Sequence, residues 1–140
     1  MITVVTGPPC SGKSTYVRQH AKPGDIVIDF DPMAQAFGSL GSHDHSAATR
    51  HVTIQARRAA IAAALTVHEQ TRVWIVDCNI SPDRMKAYRQ HGAAIVCLSV
   101  SLGELHRRAA RERPGLWHRL IDQWKAPAGL DLTAANSRDW

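Results

Sequence analysis

The octapeptide Gly7-Pro8-Pro9-Cys10-Ser11-Gly12-Lys13-Ser14 satisfies the pattern G-x-x-x-x-G-K-[ST] in full, and it constrains the fold more than any other stretch. Each fixed position has a physical task. Gly7 and Gly12 permit backbone angles that turn successive N–H groups inward, forming a concave nest for phosphate oxygens. A helix that starts immediately after the loop points its positive end at the same anion. Lys13 is long enough to reach β- and γ-phosphates, and the Ser14 hydroxyl is a hard oxygen ligand suited to magnesium. Chance alone would place such a match in about one chain in two hundred of this length. The neighbours fit as well: Ile2–Thr6 is a β-branched run that reads as a strand, and Ser11–Gln19 reads as a helix. The expected ligand is a nucleoside triphosphate, ATP with Mg2+, held by Gly7, Pro8, Pro9, Cys10, Ser11, Gly12, Lys13, Ser14 and the following Thr15.

The rest of the chain continues the alternation. Pro23-Gly24 marks a turn, and Asp25–Asp31 reads as an apolar strand ending in acids, with Pro32 opening a short helix. Gly38–His45, rich in glycine, serine and histidine, reads as a mobile loop. Ala47–Glu69 has the length of a long helix, with Ile54, Ile61 and Leu65 on its apolar side and Arg57 and Arg58 outside. Arg72–Asp77 and Ala94–Val100 are apolar throughout, as strands buried on both faces of a parallel sheet are. Ser81-Pro82-Asp83 is a helix start, and Ser101-Leu102-Gly103-Glu104 is a capping box opening Leu105–Arg113. Leu116, Trp117, Leu120, Ile121 and Trp124 form the stripe of a last helix. The order βαβαβαβα predicts an α/β layered domain with right-handed crossovers, spanning residues 1–125 and followed by a tail, 126–140.

Composition adds bounds. With 140 residues, 44% hydrophobic and 21% charged, the chain suits one soluble domain. No run of 18 apolar residues appears, so no membrane span is expected, and the N-terminus lacks a signal-peptide pattern, which predicts a cytoplasmic protein. Cys10, Cys78 and Cys97 are dispersed and read as reduced thiols. The net charge of +5 suits a polyanionic partner, whether nucleic acid or the nucleotide's own phosphates.

The third strand ends in Asp77-Cys78-Asn79. An acid there is placed to hold the water shell of a magnesium ion beside Ser14. Taken together, the G-x-P-x-S-G-K-S-T loop, the acids after the second strand, the segment Asp77-Cys78-Asn79-Ile80-Ser81-Pro82-Asp83-Arg84 and the arginines after Glu104 resemble the kinase domain of phage-type polynucleotide 5′-kinases. That family sits within the wider adenylate-kinase-like group of P-loop kinases. The likeness covers about Ile2–Trp124, and the segment beginning at Asp77 looks like the family's D-T-N-L-x-P-E-R. The resemblance implies a three-layer P-loop fold with a parallel sheet in the order 2-3-1-4. It also implies transfer of the γ-phosphate of ATP to a hydroxyl on a nucleic-acid end or nucleotide. By the same likeness, Asp31 would accept the proton of the attacking hydroxyl, and Arg108, Arg111 and Arg113 would be lid cations on the transferring phosphoryl group. Asp29 lies on the same face as Asp31 if the strand continues, so either acid is a candidate base. Where the family has an arginine three residues beyond the base, this sequence has Ala34; Arg50 in the following segment is a candidate substitute.

Two other functional classes compete: a kinase of small metabolites or antibiotics, and a non-catalytic ATP-binding module or switch ATPase. The acids together with the lid arginines argue against the module. His43, His45 and His51 read as solvated imidazoles, Cys10 as a spacer, and Trp117 and Trp124 as core or interface anchors.

Overall fold

A computed structural model describes residues 1–41, 43–112 and 115–130. Four strands, β1 (Ile2–Thr6), β2 (Ile26–Ile28), β3 (Val73–Val76) and β4 (Ala94–Cys97), form one sheet in the order β2-β3-β1-β4. All neighbouring pairs are parallel, with Val4 opposite Ile75 on one side and Ile95 on the other. Helices α1 (Lys13–His20), α2 (Phe30–Ala36), α3 (Ala47–Val67), α4 (Pro82–Gln90), α5 (Leu102–Glu112) and α6 (Leu116–Gln123) cover it. This is the expected three-layer α/β architecture, with the expected strand order.

The strand period of two divides the core cleanly. Ile2, Val4, Ile28, Val73 and Ile75 face one way, joining Ile61, Ala64, Met85 and Tyr88 from the helices on that side. Val5, Trp74, Val76 and Leu98 face the other way, against Val17 of α1. A third small cluster, Leu105, Ala109 and Ile121, joins α5 to α6 and touches Cys10 of the loop. The α5–α6 pair is further held by the stacked rings of His106 and His118 and by His106 with Asp122. Among the described residues no helix is long and apolar enough to cross a membrane.

Several local expectations are corrected. The second strand stops at Ile28, because Asp29 becomes the N-cap of α2 and Asp31 falls in its first turn. Asp29 and Asp31 therefore do not share a strand face. In α3 the inward positions are Thr53, Ile61 and Ala64, so Ile54, 37% exposed, faces out. Thr53 is tolerated inside because its hydroxyl donates to the Thr49 carbonyl at 2.7 Å. Arg57, four residues from both Thr53 and Ile61, lies on this inward stripe; only Arg58 is exposed as expected. On α6 Ile121 is buried but Leu116 is exposed. The chain after α6 returns to the body: the Trp124 indole donates to the Cys78 carbonyl at 2.7 Å, and Leu130 packs on the first core cluster. Residues 131–140 of the expected tail lie outside the described residues.

Candidate active site

The carboxyl ends of the strands open into a cleft of about 840 Å3. At its centre is the loop between β1 and α1. Gly7 is required there, since its φ is +146° and an added Cβ would lie 2.8 Å from Ser11 Oγ and 2.9 Å from the Leu98 carbonyl. Cys10 (φ 64°) and Gly12 (φ 90°) adopt left-handed backbone, which gives the loop its inward curl. Lys13 Nζ donates to the carbonyls of Gly7 at 3.0 Å and Pro8 at 2.7 Å, so the ammonium is held across the loop it serves. Pro9, Cys10, Gly12, Lys13, Ser14 and Thr15 line the cleft, while Ser11 is fully buried behind them.

The sequence-predicted acids converge on this cleft, but in different surroundings. Asp29 is 7% exposed and accepts a hydrogen bond from Ser14. Burial pushes its carboxyl above the ordinary value of 3.8, and the Ser14 hydroxyl pulls partly the other way. Asp31 is gripped by two imidazoles: His43 Nδ1 lies 2.8 Å from one carboxylate oxygen and His45 Nε2 lies 3.0 Å from the other. His45 is buried, and its second nitrogen meets Ser39 Oγ at 2.6 Å. The expectation of solvated imidazoles in a mobile loop is corrected here. The loop closes over Asp31 because a carboxylate in the first turn of α2 offers two acceptors to two ring N–H groups.

Asp77, at the end of β3, is also buried. Tyr88 donates its hydroxyl to Asp77 Oδ2 at 3.0 Å, while Arg57 and Arg84 approach to 3.6 and 3.5 Å. Burial and the Asp77 charge raise the Tyr88 phenol above its usual range, keeping it a donor. On the opposite side α5 supplies Arg108, whose Nε pairs with Glu104 at 2.9 Å and whose Nη1 donates to the Cys10 carbonyl at 3.3 Å. Arg111 lines the cleft beside it; Arg113 lies outside the described residues. Arg50 and Arg58 do not line the cleft.

Cleft residues with no site role in the sequence reading include Arg84, His43 and Trp117, while Arg57 was expected on the outer face of its helix. Trp117, expected as a core or interface anchor, reaches the cleft and meets the His43 ring edge-on at 6.2 Å. The phase of α3 was the available signal for Arg57, since positions 53, 57, 61 and 64 make one helical stripe.

A search of sequence families matches the AAA domain over residues 2–122. The chain belongs to this AAA domain family. No curated protein sequence matches it. Its fold is similar to a chain of the Pnkp1/Rnl/Hen1 RNA repair complex, at 18% identity and a TM-score of 0.58, covering 91% of this chain but 40% of that one. A gluconokinase from Sinorhizobium meliloti 1021 matches at 19% identity and a TM-score of 0.58, covering 97% and 82% of the two chains. The tunicamycin resistance protein of Deinococcus radiodurans matches at 16% identity and a TM-score of 0.51, covering 94% and 88%. The fold of this AAA domain is therefore one that it shares with a gluconokinase.

The buried Asp29 yields a stability prediction. A carboxyl raised above 3.8 by burial is protonated in the folded chain where it is ionised in the unfolded one, so stability falls as pH rises through that window. Asp29→Asn removes this cost. Its melting temperature should exceed the wild type's by about 2 °C or more at neutral pH. That gain should shrink as pH is lowered toward 3.8, a trend that thermal melts across pH would check.

Proposed function

We propose that this AAA domain is an ATP- and Mg2+-dependent kinase that transfers the γ-phosphate to a hydroxyl of a nucleic-acid end or nucleotide. The observation that carries this reading is the convergence of Lys13, Ser14, Asp31 and Arg108 on one cleft. A binding module needs the first two; a carboxylate and a lid cation lining the same cleft are what transfer chemistry adds.

The donor phosphates would lie on the loop N–H groups and Lys13, with Arg108 and Arg111, joined by Arg113, on the transferring group. Ser14 and Asp77 are the residues that would hold magnesium, with Asp29 the acid nearest the Ser14 hydroxyl. The donor set fits a hard cation that keeps several waters and leans on substrate phosphates. Bound magnesium would neutralise phosphate charge as the bond to the leaving oxygen lengthens. Asp31 would accept the proton of the attacking hydroxyl, with His43 and His45 fixing the direction of its oxygens. Nothing in this scheme requires covalent catalysis; positioning and charge neutralisation are sufficient.

A small-molecule kinase is the second reading, supported by the fold shared with a gluconokinase, of which 82% is covered. A transfer screen with γ-labelled ATP separates the readings. The acceptors are 5′-hydroxyl DNA and RNA oligonucleotides, nucleoside 3′-phosphates, and gluconate with other metabolites. The expected result is label on an oligonucleotide or nucleotide. Label on a metabolite alone installs the second reading, and ADP formation with no labelled acceptor installs a switch ATPase.

A further inference from the structure

We propose that Arg57 and Arg84 form an anion-binding subsite on the acceptor side of the cleft, so that the phosphoryl acceptor carries a phosphate or carboxylate near its reacting hydroxyl. This rests on the kinase reading and names the chemistry of its substrate. The two arginines come from different elements and meet at one place. Arg57 leaves the inward stripe of α3 and donates Nη2 to the Val76 carbonyl at 2.6 Å. Arg84 leaves the first turn of α4 and donates to the Asn79 carbonyl. Both line the same cleft as Lys13 and Asp31.

Charge and donor counts argue that this pair is more than a brace for Asp77. Two guanidinium groups face one carboxylate, which leaves one positive charge in excess. That carboxylate already accepts the Tyr88 hydroxyl at 3.0 Å. The arginine contacts to it, 3.6 and 3.5 Å, are long beside the roughly 2.8 Å of a committed charge-assisted hydrogen bond. The Nε atoms of both arginines are buried without a hydrogen bond, that of Arg84 lying 3.5 Å from Asp77 Oδ2. The Arg57 side chain is only 11% exposed. Burying a cation with a donor unmet is costly, and an oxyanion in the cleft would offset part of that cost by pairing with the guanidinium charge.

Topology puts the pair where an acceptor would sit. In the order β2-β3-β1-β4, the phosphate loop follows β1, and Arg108 reaches it from α5 beyond β4. Arg57 and Arg84 attach instead at the end of β3, whose other neighbour β2 leads into Asp31. The donor's cations and the acceptor's cations thus occupy opposite sides of the loop.

The test uses the full chain saturated with a non-hydrolysable ATP analogue and Mg2+, so that the donor site is filled. Calorimetry then compares adenosine 3′-monophosphate with adenosine, and D-gluconate with D-glucose; inorganic phosphate is titrated alone. In at least one pair the anionic member should bind about tenfold tighter or more, and which pair does so tells phosphate from carboxylate. Arg57→Gln and Arg84→Gln should each erase most of that difference while the ATP analogue still saturates the donor site. Arg57→Lys keeps the charge without the fork and should retain only part of it. Arg84, 38% exposed, is the variant that keeps the test open should Arg57→Gln fail to fold. Equal binding within both pairs, absence of binding by every probe, or a preference that survives in Arg84→Gln would overturn the subsite. An anionic probe that binds through these arginines but never receives label from ATP would overturn the kinase reading and leave the subsite standing. A neutral acceptor labelled as readily as its anionic partner would do the reverse.

Discussion

Lys13→Ala should raise the dissociation constant for MgATP by about a hundredfold or more, because it removes a charged donor worth about 3 kcal/mol to a phosphate in a partly desolvated site. The fold should survive. Lys13 is only partly buried and makes its hydrogen bonds to the carbonyls of Gly7 and Pro8 and to Ser11 Oγ, all within the loop. None of the core clusters includes it. Lys13 lines the cleft and lies outside the core clusters, so the melting temperature should move by no more than about 3 °C. Calorimetric titration with MgATP and a thermal melt of the same preparation check both halves. A variant that is folded and binds MgATP as tightly as the wild type would remove the phosphate site, and with it every role assigned to Arg108 and Ser14.

The loop and the strands were legible because both rest on local rules, whereas the strand order came from the family resemblance. Gly7 and Gly12 occupy positions where only particular backbone angles make the nest. Ile2–Thr6, Val73–Val76 and Ala94–Cys97 are apolar runs of the kind parallel strands require. What could not be read was set by tertiary contact. Arg57 looked like a surface residue because a charged side chain in an alanine-rich helix normally is one; its charge outweighed the inward phase that Ile61, one turn on, already set. His43 and His45 lie in a segment whose composition signals a loop, and composition carries no information on what the loop packs against. Asp31 supplies that partner across a sequence separation of 12 and 14 residues. The distinction between Asp29 and Asp31 had the same origin. A strand running through both would have made them equivalent, whereas the turn into α2 at Asp29 sends one acid to Ser14 and the other to the histidines.

That separation makes Asp31→Asn the second decisive experiment. Asparagine keeps the shape and removes the basicity, so phosphoryl transfer should fall by roughly a hundredfold or more while affinity for MgATP stays within about twofold. The loss belongs at the lower end of what a general base supplies, since the transition state of phosphoryl transfer is loose and the hydroxyl proton leaves late. Part of it would come from geometry. An amide nitrogen facing one imidazole replaces an acceptor with a donor, and the contact at 2.8 or 3.0 Å must then loosen or the ring must change tautomer. His45→Ala separates the two contributions, because it releases one oxygen of Asp31 and the link to Ser39 Oγ but leaves the carboxylate itself. If Asp31 is the base and His45 aims it, His45→Ala should lower kcat by about tenfold and Asp31→Asn by at least ten times more. Equal losses in the two variants would make the clamp, rather than the base, the functional element. Should Asp29→Asn carry the large loss in transfer at unchanged MgATP affinity while Asp31→Asn leaves it intact, the base is Asp29, and the two histidines serve only to close the loop over α2.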